Sequence, residues 1–398
     1  MTFRFIPAIL LFSFLLLSAS CSKKEKSAAD TTEKSTDTMV RMGAYKFPPS
    51  KLPPGYLSGK REAIGRFVNK TWREHDNISM LVAKNGKIIY EKYQGYADKQ
   101  EGTDITATTP MHIASVSKVL TATAILELID AGKIELDQKV NTILKGFPYD
   151  QVTVKTLLNH RSGLTNYAYY VDRREIWNKR DILTNQNILD LFIKHGTPLD
   201  FKTDKKFAYC NTNYAMLALI IEKVTGLNYR DAMREIIFKP LGMSNTFVFD
   251  YDKDRKKIVP SYKGNNVEIG LDHLDAVYGD KNIYSTPRDL LKFDMARYSP
   301  DFLNPKLIKQ VYVGYSYEHK GEKNYGLGIR MIDWVTGQHF YFHNGWWHGN
   351  TASYVNLKNE KVMIIALSNK YSQKTYRVRF LATLFGDYPF KIDEDMGL

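Results

Sequence analysis

ISMLVAKNGKIIYEKY, residues Ile78 to Tyr93, sets the fold: two runs of strand-forming residues meet at Asn85-Gly86, the strongest short-range signal for a β-hairpin. A helix is expected just before it, from Lys60 to Glu74. Far downstream, Gln338 to His343, Thr351 to Asn356 and Lys361 to Ser368 again favour strands, the last two joined by a turn at Lys358 to Glu360. The reading is an α/β (α+β) chain with one antiparallel sheet of about five strands drawn from both chain ends, within residues 77–97 and 325–370. Between them the periodicity becomes helical, as in Val116, Val119, Leu120, Thr123 and Ala124, and in Tyr214, Leu217, Ile220, Ile221 and Val224 before Gly226. A mostly helical region, about 115–310, is therefore inserted into the sheet, and the junction is a place for a cleft. No fixed-period repeat is present.

With 398 residues, 43% of them hydrophobic and 13% aromatic, the chain can bury an enzyme-sized core, which excludes fibrous and fully disordered classes. Arg4, an apolar run from Phe5 to Leu17, and Ser18-Ala19-Ser20 before Cys21 have the layout of a secretory signal peptide over residues 1–20. The run is shorter than the roughly 20 apolar residues that span a bilayer, and Pro7 interrupts it. Small residues ahead of Cys21 are similar to a bacterial lipobox, although Ser18 stands where leucine is usual. Cys21 is expected to carry acyl chains that hold the protein on a membrane; plain secretion with a free Cys21 is the alternative. Residues 22–38 hold four Lys against four Asp or Glu and nothing to bury, so they read as a disordered tether, and the Pro-rich segment from Lys46 to Gly55 leads into a body spanning 56–390. Cys210 is the other cysteine, so no intrachain disulfide is expected. The formal charge of +13 is scattered and accompanied by no zinc-finger or RNA-binding signature. That argues against nucleic acid and for either a basic surface near anionic envelope polymers or lysines that merely confer solubility.

The chain has no Walker P-loop, no HExxH helix and no GxSxG elbow. It does have Ser115-Val116-Ser117-Lys118. A serine at a helix start with lysine three residues on places both side chains on one face, one turn apart, where the amine can assist deprotonation of the hydroxyl. The helix N-terminus adds unpaired N–H groups that favour a developing oxyanion. By itself SxxK recurs by chance. Two companions give it meaning: Tyr209-Cys210-Asn211, directly before the helix near Tyr214, and His343-Asn344-Gly345 at the end of a strand.

In this order the three motifs resemble those of the serine β-lactamase and DD-peptidase family, in which SxxK, YxN and KTG or HxG line one cleft. VTVKTLLNHRSGLTNY (Val152 to Tyr167), KPLGMSNTFVF (Lys239 to Phe249), IYSTPRDLLKF (Ile283 to Phe293) and YGLGI (Tyr325 to Ile329) are similar to further landmarks, and the resemblance covers roughly Lys60 to Asn369. It implies that Ser115 attacks a carbonyl while Lys118 and Tyr209 move protons. A free tyrosine titrates near 10, so Tyr209 would need a neighbouring cation such as Lys118 to act as a base. Asn211 would donate to the substrate amide oxygen, and the oxyanion would sit between the backbone N–H groups of Ser115 and Trp346, beside Gly345. His343 stands where lactamases have the KTG lysine; a partly charged imidazole is a weaker carboxylate anchor and a candidate proton shuttle. Trp346-Trp347 replaces the usual small residues and offers either a stacking wall or packing at the sheet edge.

Asp280-Lys281-Asn282 stands where many relatives have a glycine pair and reads either as substrate-reaching or as a solvated loop. His160 reads as a structural hydrogen-bonding residue, and Cys210 as a small buried filler. His339, His343 and His348 have no carboxylate or cysteine at ligand spacing, so no metal is expected. The expected activity is acyl transfer to Ser115 and hydrolysis of the acyl-enzyme by water, without metal or organic cofactor. Its substrates would be peptide-like amides or esters of the bacterial cell envelope, peptidoglycan stem peptides among them. β-Lactam hydrolysis is the runner-up, and a catalytically silent envelope binding or sensor lipoprotein is the rival from another class.

Overall fold

The computed structural model describes residues 39–43, 50–316, 318 and 321–392. The expected signal peptide, Cys21 and the 22–38 segment lie outside the described residues. Helix α1 (Tyr56–Thr71) follows Pro53-Pro54-Gly55 and buries Ile64, Phe67, Val68 and Thr71 at helical spacing. It begins earlier than expected and stops at Thr71, because Trp72 turns extended and sends its ring into the core.

Strands β1 (Ile78–Lys84) and β2 (Lys87–Gln94) form the hairpin at the expected place. Asn85 and Gly86 both have positive φ, 50° and 74°, as the hairpin turn of that hand requires. Two long helices carry the first two motifs, α2 (Ser117–Asp130) and α3 (Asn211–Thr225). The C-terminal part contributes β3 (Lys323–Tyr325), β4 (Arg330–Asp333), β5 (His339–Trp347), β6 (Asn350–Leu357) and β7 (Val362–Ser368). The sheet runs β3-β4-β5-β6-β7-β1-β2 and every pairing is antiparallel. Both chain ends build it, with Ser79 opposite Leu367 and Lys84 opposite Val362.

The sheet has seven strands rather than about five. The additional pair, β3 and β4, flanks the glycines of YGLGI and is too short to show a strand period. Gly328, at φ +86°, lies against α2 so closely that a Cβ there would be 2.3 Å from Ala122 Cβ. Strand β5 also runs on past His343, pairing with β6 as far as Trp347 opposite Asn350, so the third motif lies within a strand and does not end it.

Alternation along β1 explains its nearly unbroken burial. Leu81 and Ala83 face a large core shared with α2 and α3, while Ile78, Met80 and Val82 face a second core closed by α1 and Leu381. Helix α2 is buried on all sides from Ser117 to Leu128, as a helix through the middle of a core must be. A small three-stranded sheet of Met111–His112, Ile283–Ser285 and Phe247–Val248 ties the segment before α2 to the one after Asn282.

Candidate active site

Within Met111 to Leu120 only Ser115 is not buried. It lies in a 3-10 turn, Ala114–Val116, that runs straight into α2. Ala114 is held at φ 46°, a left-handed conformation that costs a non-glycine residue about 1–2 kcal/mol. One turn on, the fully buried Lys118 donates from Nζ to Ser115 Oγ at 3.0 Å and to the Asp280 carbonyl at 2.7 Å. The two side chains therefore meet as the spacing requires.

Tyr209 sits just before α3 with its ring 5.1 Å from Lys118 Nζ. His160 packs on it at 4.4 Å, and the Arg330 guanidinium, from β4, lies 4.5 Å from the ring centre. Sequence reasoning missed Arg330, which directly follows the YGLGI landmark and is brought to Tyr209 by the pairing of β4 with β5. The buried Tyr209 hydroxyl and Asn211 Oδ1 have no hydrogen-bond partner among the described residues. Both atoms are left able to bond a molecule from outside the chain. His160 is structural, as expected: its Nδ1 accepts from Cys210 N at 3.2 Å and from the Asn213 amide at 3.0 Å. Cys210 is a buried filler whose thiol donates to the Leu164 carbonyl.

The third motif comes to the same place. Pairing between β4 and β5 ends at Phe342, so His343 to Trp347 have a neighbouring strand, β6, on one side only. Gly345 lies against the serine turn, where an added Cβ would stand 2.6 Å from Ile113 O and 3.0 Å from Ser115 N, and any side chain would force the strand away. His343 is fully buried; its Nδ1 faces the Asn344 carbonyl at 2.9 Å and its Nε2 the Tyr325 hydroxyl at 3.2 Å. Burial first, then the charges of Arg330 and Lys118, hold its pKa well below the usual imidazole range. This corrects the expectation of a partly charged residue: His343 is neutral, and Arg330 is the cation on this side of the cleft.

Successive residues of β5 point to opposite faces. Trp346 is 61% exposed and meets Tyr371 edge-on at 6.4 Å, so it does not pack into the sheet edge. Trp347 is half-buried, 4.6 Å from Lys281 Nζ. Asp280-Lys281-Asn282 is no solvated loop, for all three are buried. The Tyr167 hydroxyl donates to Asp280 Oδ2 at 2.9 Å and accepts from Lys281 Nζ at 2.9 Å, while the Asp280 carbonyl holds Lys118. Burial lowers the pKa of Lys281, partly offset by Asp280 and Asp275. The three histidines go to separate partners: His339 to Asp333, His343 to Tyr325, and His348 to Asp275, with Asp272 close by. Asp275, lying 73 positions before His348, was invisible to a search by spacing.

A serine whose hydroxyl meets a buried lysine, with a tyrosine and a glycine-bearing strand beside them, is the arrangement expected of the family that the three motifs resemble. Residues 66–385 match the family model described as Beta-lactamase, and the chain belongs to that family. It is a serine hydrolase. It is 29% identical to Penicillin-binding protein 4* of Bacillus subtilis over 358 residues, 84% of this chain and 78% of the relative. It is also 29% identical to a Teichoic acid D-alanine hydrolase of Staphylococcus aureus over 280 residues, 68% of this chain and 67% of the relative. A penicillin binding protein from Bacillus halodurans superposes with a TM-score of 0.69 at 21% identity, covering 84% of this chain and all of that one. Among the described residues, no helix is long and apolar enough to cross a membrane.

Neutral burial of His343 sets a pH dependence. Its folded pKa lies below the unfolded value of about 6.5, so the unfolded chain binds more protons between the two and stability falls as pH drops through that interval. His160 shifts the same way, and burial takes His112 down to about 4. The His343→Gln variant is expected to flatten the fall of stability as pH drops below about 6.5. Urea unfolding across that range measures it, and an unchanged slope would mean that His343 titrates normally in the fold.

Proposed function

We propose that Ser115 is the acylated nucleophile of a hydrolase acting on peptide-like amides or esters of the cell envelope, D-alanyl groups in particular. The observation that carries this reading is the 3.0 Å contact between Lys118 Nζ and Ser115 Oγ, made by an amine with no exposed surface. In this reading Ser115 Oγ bonds to the substrate carbonyl carbon, and its proton passes to the Lys118–Tyr209 pair. The carbonyl oxygen, now negative, is received by the backbone N–H groups of Ser115 and Trp346, and Asn211 holds the substrate amide. The proton then goes to the leaving amine or alcohol as its bond to the carbonyl carbon breaks. Water repeats the sequence in reverse and frees Ser115.

Substrate charge is read by Arg330, since neutral His343 cannot replace the lysine of KTG. Arg330 borders a cavity of about 500 Å³ with Phe207, Glu322, Lys323 and Asn324, which gives a carboxylate-ended substrate room beside the guanidinium. The names of the two relatives, a penicillin-binding protein and a D-alanine hydrolase of teichoic acid, support D-alanyl chemistry.

The test is the full chain in detergent, given a D-alanyl-D-alanine peptide, its amidated twin, a D-alanyl ester, p-nitrophenyl esters and a penicillin. Turnover of the amide or ester probes is expected, faster for the free carboxylate than for its amidated twin, and reduced about 10³-fold or more in Ser115→Ala. Equal activity in Ser115→Ala, or silence with every probe, overturns the reading; rapid penicillin loss moves it to a β-lactamase.

The same reading places the protein in the bacterial cell envelope, exported through residues 1–20 and held by acyl chains on Cys21. In cells, Cys21→Ser is expected to shift the protein from the membrane fraction to the soluble one, and an unchanged distribution counts against the anchor.

A further inference from the structure

The two amides assigned to the oxyanion belong to distant parts of the chain, Ser115 and Trp346. A third set of residues links their surroundings. The left-handed Ala114, next to the nucleophile, donates its N–H to His112 Nδ1 at 3.1 Å. His112 is buried, edge-on to Tyr284 at 5.0 Å, and its Nε2 lies 3.0 Å from Asn282 Oδ1. The Asn282 amide nitrogen is committed to two carbonyls, Asp275 at 2.5 Å and Val277 at 2.8 Å, so its oxygen must be the atom that faces His112. His112 therefore carries its proton on Nε2, and Nδ1 is left with the lone pair that the Ala114 N–H needs. Beyond Asn282, the Asp275 carboxylate accepts from Trp347 Nε1 at 2.6 Å and from His348 Nε2 at 3.0 Å. Trp347 adjoins Trp346 on β5.

From these contacts we infer that His112, Asn282 and Asp275 form a brace that fixes the serine turn and the edge of β5 relative to each other, and so sets the separation of the oxyanion donors. They are positioning residues, and the inference rests on the acyl-enzyme reading of Ser115. A donor pair stabilises a developing charge only when both amides hold their places before the reaction, to within about 0.5 Å. Ala114 sits in a conformation it would leave if released, and beyond Phe342 β5 is paired to β6 alone, with no strand on its cleft side, so strand pairing does not tie the two walls to each other. Asp275 anchors both. His112, Asn282, Asp275, Trp347 and His348 all border a cavity of about 420 Å³, so truncating one of them leaves room for water and need not collapse the core.

The test uses the full chain in detergent and a fluorophosphonate, with which Ser115 Oγ forms a bond to phosphorus as fluoride leaves and the serine proton goes to solvent. The phosphoryl oxygen takes the place of the oxyanion. In His112→Leu the labelling rate at saturation is expected to fall about tenfold or more, with the half-saturating concentration unchanged within about twofold. His112→Asn, whose amide oxygen stands where Nδ1 stood, keeps the Ala114 contact but has no atom to reach Asn282, and is expected to restore only part of the rate. Trp347→Phe, at the far end of the brace, is expected to slow labelling in the same way. If His112→Leu does not fold, Trp347→Phe and His112→Asn decide. Wild-type rates in the folded variants, or His112→Asn no faster than His112→Leu at equal melting temperature, overturn the brace. Labelling that survives Ser115→Ala instead overturns the nucleophile and leaves the brace aside.

Discussion

A lysine amine with no exposed surface, bonded to a serine hydroxyl one turn away, is the contact around which the rest is arranged. An amine taken out of water needs partners, and Lys118 finds them in Ser115 Oγ, the Asp280 carbonyl and the faces of Tyr209 and Tyr214. Those partners come from three separate stretches of chain. Helix α2 must therefore run through the core with its first turn emerging at the cleft, and the sheet, covered on both faces, provides the frame that lets it do so.

The electrostatics of the cleft follow from what is sealed and what is not. His343 and His160, buried and neutral, shape the site through hydrogen bonds and ring packing. Charge is left to Lys118 and Arg330, both close to the Tyr209 ring, and to the buried Asp280–Lys281 pair. With histidine in the third motif, the second cation beside Tyr209 comes from the adjacent strand β4.

Much of this was legible in the sequence where the physics is local. Asn85-Gly86 demands a turn of one hand, the Ser115–Lys118 spacing puts two side chains on one face, and Gly226 stops α3 in a left-handed cap. Family landmarks carried the order of the three motifs. What stayed hidden depended on pairing across the chain. Strands β3 and β4 are too short to show a period, so Arg330 had no element to sit on. The burial of His343 and of Asp280-Lys281-Asn282 follows from what packs over them, and their polarity pointed the other way. The Asp275–His348 pair spans too many positions for spacing to suggest it.

The most direct test of the central contact is the site and speed of acylation. The full chain is reacted with a fluorophosphonate, digested, and the adduct located by mass spectrometry, with Lys118→Met beside the wild type. The account predicts an adduct on Ser115 alone, formed about 10²–10⁴-fold more slowly without the lysine amine. An adduct on another residue, or wild-type speed in Lys118→Met, would contradict it.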